Sequence, residues 1–277
     1  MTWQGHLSLD YRPDAEARTI ALDRHEGPLR VLQRLYPEGP AVCHHVLVHP
    51  PGGIVGGDRL DVEIQMAAGS HALITTPSAT RFYRSAGETA SQSVRARLQP
   101  GSRLEWLPLE TLVYDAALAE NRLKFELCPG AEMFGWDIAA LGLPTAGLPF
   151  TRGHYQQHLE LPGRWLERGR IDGADHALLD SPLGLAGHKV MATLWFAGGQ
   201  ALPTARREAL LDVARERCAA HALAATCGST SPEAGLVVLR LLSPRVEPAF
   251  ELLSRVWSDW RQLAWGLPAC PPRVWRM

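Results

Sequence analysis

The sequence predicts a mainly β protein: extended, layered, β-helix-like sheets over about residues 1–200, followed by two C-terminal α-helices. Three observations carry this. Leu60, Val62, Ile64 and Met66 alternate with Asp61, Glu63 and Gln65, and Leu123, Phe125 and Leu127 repeat the alternation within Arg122 to Leu127. Gly or Pro punctuation recurs about every ten residues. Beyond position 200 the apolar spacing changes from two residues to three and four, the signature of a helix face.

Further short strands are expected at Cys43 to Val48, Ala72 to Thr76, Ser91 to Leu98, Arg103 to Leu107, Tyr155 to Leu161, Arg164 to Ile171, Val190 to Phe196 and Leu236 to Leu242. No helix is expected before residue 200. Thr204 can cap a helix over about 204–224, whose apolar face (Leu210, Val213, Ala214, Cys218) is small. The second helix, about 248–265, has Pro248 in its first turn, then Phe250, Leu253, Trp257, Trp260 and Ala264, and Gly266 to end it. That stripe is expected to pack on the sheets, with Trp257 and Trp260 as the candidates for contact with a partner. No internal repeat of fixed period and no low-complexity linker is visible, so residues 1–277 read as a single domain.

Composition narrows the function classes. With 277 residues, 46% of them hydrophobic, the chain can bury a sizeable core. Its net charge of −1 comes from acidic and basic residues mixed along the chain, which argues against nucleic-acid or anionic-membrane binding. Neither a transmembrane run nor a signal peptide is visible, and a cytoplasmic location is expected. Cys43, Cys128, Cys218, Cys227 and Cys270 are odd in number, widely spaced and never Cys-x-x-Cys. Most read as small buried hydrophobes, and none as part of a disulfide framework or a thiolate zinc site.

The most unusual segment is His49 to Asp58, His-Pro-Pro-Gly-Gly-Ile-Val-Gly-Gly-Asp. Gly52, Gly53, Gly56 and Gly57 lie within six positions, a costly density unless the backbone needs positive φ or close approach. The segment is either a tight connection between strands or a binding loop. Asp58 and Arg59 stand where a phosphate loop needs Lys and Ser/Thr, so nucleotide binding is disfavoured. There is no Gly-x-Ser-x-Gly elbow to accompany an oxyanion loop.

These ten residues resemble the signature of the urease accessory protein UreD (UreH) family. Further similar stretches follow in order: Thr75 to Arg84, Pro108-Leu109-Glu110-Thr111, Phe134 to Ile138 and the closing Pro271 to Arg276, with Gly27-Pro28-Leu29 before the loop. The resemblance spans nearly the whole chain, with Pro77 where many relatives carry glutamine. It implies an all-β scaffold with a helical C-terminal portion, not an enzyme. Such a protein would assemble with UreF and the GTPase UreG, meet apo-urease, and pass nickel through a water-filled passage. No tightly bound cofactor is implied, only transient nickel.

Metal-ligand spacing argues against a closed site. Cys43, His44, His45 and His49 are the densest donor group, but on a strand His45 and His49 lie roughly 13 Å apart, too far to share one ion. Packed or hydrogen-bonded roles are expected for them. Carboxylates suit a conduit better, since separated oxygen ligands release nickel more readily than thiolate or imidazole. Asp58, Asp137 and Glu167 are the candidates for the transient nickel route, weighed against structural ion pairs with nearby arginines such as Arg59. The alternatives are a hydrolase using the glycine loop as an oxyanion hole, and a β-rich small-molecule-binding module.

Overall fold

A computed structural model describes residues 2–276, in which the chain winds back and forth between two facing β-sheets. The strands in chain order begin with β1 (Gln4–Pro13), β2 (Thr19–Glu26), β3 (Arg30–Leu35), β4 (Val42–Val48), β5 (Arg59–Met66) and β6 (His71–Thr75). The middle set is β7 (Thr80–Phe82), β8 (Ala90–Leu98), β9 (Arg103–Trp106), β10 (Thr111–Val113), β11 (Ala117–Leu127) and β12 (Glu132–Leu141). Then come β13 (Gly153–Leu161), β14 (Trp165–Asp172), β15 (Val190–Gly198), β16 (Cys227–Glu233) and β17 (Leu236–Ser243). The helices are α1 (His176–Asp180), α2 (Thr204–Ala219) and α3 (Val246–Trp265).

One sheet has the order β14-β13-β11-β8-β5-β1-β2. The other runs β16-β17-β15-β12-β9-β6-β4-β3, with β10 beside β12 and β7 beside β10. From β4 to β13 each circuit lays one strand in the first sheet and one or two in the second, and neighbours such as β5 and β8 or β9 and β12 are parallel. This is the layered solenoid that the alternating strands anticipated. Its turns stack. Gly69, Gly101 and Gly130 have φ of 75°, 74° and 83° at equivalent corners, where alanine would be strained. At each corner the residue after the glycine donates its N–H to a carbonyl three residues back: Ser70 to Ala67, Ser102 to Gln99, Ala131 to Cys128. A structural repeat therefore exists where no fixed sequence period was visible, because circuit lengths differ and the corner glycine is what recurs.

Two cores result. Leu9, Ile64, Val94, Leu123, Met133 and Trp195 fill the space between the sheets. Phe134, Trp136, Leu194, Phe196, Leu210 and Trp260 fill the space between the second sheet and the helices. β12 is buried on both faces, which removes the alternation that marks a half-exposed strand.

The helices depart from expectation in detail. α1 precedes residue 200, a five-residue turn capped by the Asp175 side chain accepting from Leu178 N–H. α2 stops at Ala219, short of Ala224, as the chain turns back toward β16. α3 starts at Val246, with Pro248 still in its first turn, and ends at Gly266 in the left-handed conformation. Trp257 and Trp260 are corrected as interface candidates, because both are fully buried within this chain. Trp260 Nε1 donates to the Leu210 carbonyl at 2.7 Å, and Trp257 Nε1 to Glu105 Oε2 at 2.7 Å.

Glu105 is part of a buried charged clamp. Its carboxylate takes Arg261 Nε at 3.1 Å and His71 Nε2 at 2.8 Å, while Arg261 Nη2 reaches Glu38 Oε2 at 2.6 Å. Burial opposes the Glu105 charge, but the hydrogen bonds and charges of His71 and Arg261 outweigh it and hold the carboxyl below its usual value. Arg261 on α3 is thereby fixed to β9 and to the loop before β4. Among the described residues no helix is long and apolar enough to cross a membrane.

Candidate functional site

The glycine loop connects β4 to β5, and each glycine has its own physical reason. Gly52 and Gly57 take positive φ, 82° and 89°. A Cβ on Gly53 would overlap the Tyr83 ring, and one on Gly56 would overlap Ser85. Between them Ile54 is buried, its N–H donating to the Arg81 carbonyl at 2.7 Å and its carbonyl accepting from Tyr83 N–H at 2.9 Å. The loop is thus stitched to β7 by its backbone.

Asp58 closes the loop without any arginine. Its buried carboxylate accepts from Trp3 N–H at 2.7 Å and Val55 N–H at 3.0 Å, so the Arg59 ion pair considered from the sequence is replaced by main-chain donors. Beneath the loop lies a cavity of about 80 Å³, lined by His49, Gly52, Arg81 and Trp106 together with Val62 and Gln92 of the facing sheet.

From Gln92 a line of polar side chains runs through the space between the sheets. Gln92, Asn121 and Gln157 sit at matched register positions on β8, β11 and β13, all facing inward. Gln92 Nε2 donates to Asn121 Oδ1 at 3.3 Å, and Asn121 Nδ2 donates to Asp137 Oδ1 at 3.1 Å. Gln157 Nε2 donates to Asp137 Oδ2 at 2.5 Å. Asp137 comes from β12 on the facing sheet, so this cluster joins the two layers.

Asp137 is paired by register with Thr193 on β15. Thr193 Oγ1 donates to Glu167 Oε1 at 3.3 Å, and Glu167 Oε2 forms an ion pair with Arg240 Nη2 at 2.6 Å. Glu167 and Thr193 open on a surface cleft of about 430 Å³ that also holds Cys227 and Arg240. The line therefore links the cavity below the glycine loop to a cleft near β14, β15 and β17.

Electrostatics single out Asp137. Burial pushes its carboxyl from 3.8 up to about 6; the Gln157 amide opposes this, the Glu167 carboxylate adds to it, and the Asn121 amide opposes it. Donors that are neutral amides leave the charge only partly compensated.

The three carboxylates thus divide. Asp137 and Glu167 are neighbours across the Asp137–Thr193 register pair, Glu167 carrying the ion pair that the sequence left open. Asp58 is a structural acceptor at the far end, outside the cavity wall. Sequence reasoning passed over Gln92, Asn121, Gln157 and Thr193. The signal for the first three was present: each occupies an apolar-phase position of an alternating strand, in step with Val94, Leu123 and Leu159.

The histidine group disperses as expected for packed side chains. His45 Nδ1 lies 2.7 Å from the Tyr11 hydroxyl between the sheets, and burial lowers its pKa to about 4. His44 faces the other way, 2.6 Å from Glu38. Among the described residues no three His, Cys, Asp or Glu side chains converge on a point that could hold a metal ion.

Comparison with known proteins places this architecture in context. The sequence pattern of the family described as UreD urease accessory protein matches residues 4–276. The urease accessory protein UreD of Leptothrix cholodnii is 65% identical over 277 residues, covering all of both chains. That of Variovorax paradoxus is 61% identical over 275 residues, 99% of each chain, and that of Albidiferax ferrireducens is 58% identical over the full length of both.

Proposed function

Because the chain belongs to the UreD family of urease accessory proteins, we propose that it is a non-catalytic partner in urease maturation that conveys nickel through its interior. It would do so in assembly with UreF, UreG and apo-urease. The observation that carries this reading is the succession of polar side chains from Gln92 through Asn121 to Asp137, continued across the Asp137–Thr193 register pair to Glu167.

The chemistry of that line suits a divalent cargo. A divalent cation exchanges water for protein donors, and it leaves again readily when those donors are oxygens and each donor set is incomplete. Asp137 and Glu167 offer carboxylate oxygens in succession, while the amide carbonyls of Gln92, Asn121 and Gln157 can turn toward a cation and their NH₂ groups toward a carboxylate. Asp137 is poised near neutral pH, so arrival of a cation would displace its residual proton and departure would allow reprotonation.

Asp137→Ala and Glu167→Ala should lower nickel per urease active site while melting temperature and capture of UreF are retained. If every variant that fails to deliver nickel has also lost its fold or its partner, the conduit reading is wrong and the line is a structural cross-link between sheets.

A further inference from the structure

The cavity beneath the glycine loop has a different character from the line it feeds, and we propose that it is a binding site for a small monovalent oxyanion of bicarbonate or simple carboxylate size. No Asp or Glu contributes to its wall, which is built from donors and apolar groups. Trp106 lines it, is 4% exposed, and its indole N–H is buried with no hydrogen-bond partner. His49 Nε2, in the same wall, is likewise buried and unpartnered. A buried donor left unmade costs about 1–3 kcal/mol, so the Trp106 indole N–H, joined by His49 Nε2 in the tautomer that carries its proton there, points to an occupant.

Arg81 supplies the sign of the charge. Its half-buried guanidinium donates to the Gly52 carbonyl at 3.3 Å and forms no ion pair among the described residues. A planar fork with uncommitted N–H groups matches the two oxygens of a carboxylate or bicarbonate, a geometry that lysine cannot reproduce. Leu47, Leu60, Val62 and Val94 supply apolar wall, and low dielectric strengthens such a contact. Asp58, whose charge acts on His49, has both oxygens committed to the N–H groups of Trp3 and Val55.

Size selects within the class. About 80 Å³ of water-accessible space holds a small group of waters or one small anion. The proposal goes beyond nickel passage and does not depend on it: anion binding can be present or absent whether or not a cation crosses the molecule.

The test follows the Trp106 indole N–H directly in the full chain labelled with ¹⁵N-tryptophan, its resonance assigned by its loss in Trp106→Phe. Sodium bicarbonate, formate, acetate and chloride are titrated at constant ionic strength. A saturable shift of that resonance is expected with bicarbonate or formate and none with chloride; which of bicarbonate and the carboxylates binds more tightly identifies the source. Arg81→Gln should weaken binding about tenfold or more, and Arg81→Lys by less. If Arg81→Gln does not fold, as judged by its melting temperature, Arg81→Lys decides, and undiminished affinity in it overturns the proposal. So does the absence of a saturable shift, or an equal response to chloride, which would leave the cavity holding water alone.

Discussion

Replacing Asp137 with asparagine is expected to stabilise the protein at neutral pH while impairing nickel delivery. The folded-state pKa is raised from 3.8 to about 6, so between those values the folded chain keeps a proton that the unfolded chain has released. The stability tied to that proton is fully present below pH 3.8 and has been lost once pH passes 6. A rise of this size corresponds to roughly 3 kcal/mol. Asparagine keeps the shape and removes the charge, but it offers one carbonyl where Asp137 accepts from both Asn121 and Gln157. One neighbouring amide must rotate, at a cost of about 1 kcal/mol in hydrogen bonding. The net gain at pH 7.5 is therefore roughly 2 kcal/mol, or about 4 °C in melting temperature for a chain of this size. Thermal melts of both proteins from pH 4 to 8 measure it, and taking the difference cancels every other titrating group. The gap should close below pH 5. A variant less stable than the parent at pH 7.5, with a gap independent of pH, would show that Asp137 is a well-solvated or fully compensated carboxylate and refute the reasoning.

Arg261→Met should leave Glu105 and Glu38 with histidine partners but no arginine beneath α3 and cost about 3 kcal/mol, read from urea denaturation. A loss under 1 kcal/mol would mean that the clamp contributes little. Trp257→Ala empties a fully buried site and removes a donor from Glu105, for about 3–5 kcal/mol; partner capture lost at unchanged melting temperature would contradict the core assignment. Gly52→Ala has open space around its new methyl and should cost only about 1 kcal/mol for its positive φ. Gly53→Ala drives a methyl into the Tyr83 ring and should cost more, with Tyr83→Ala restoring part of the loss in the double variant. Equal costs for the two glycines would show that the loop relaxes.

What the sequence determined by itself is local. Period-two alternation at Leu60 to Met66 predicted a half-buried strand because successive side chains point to opposite faces, and β5 spans Arg59–Met66. Phe250, Leu253, Trp257 and Trp260 predicted one face of α3 for the same kind of reason, and the glycine loop and its neighbouring motifs identified the family. β12 escaped this reading because burial on both faces leaves no polar phase to alternate with.

Tertiary structure alone decided which of these residues meet. Asn121, Asp137, Gln157 and Glu167 are scattered along some fifty residues, and only the parallel register of β8, β11 and β13, set against β12, brings them into one line. The same holds for Glu105 and Arg261, separated by 156 positions and in contact in the fold. Polar residues at apolar-phase positions were visible in the chain, but their partners were not. Hydrogen bonds and ion pairs act over about 3 Å, and that distance is fixed by strand register and layer packing, which no local pattern specifies.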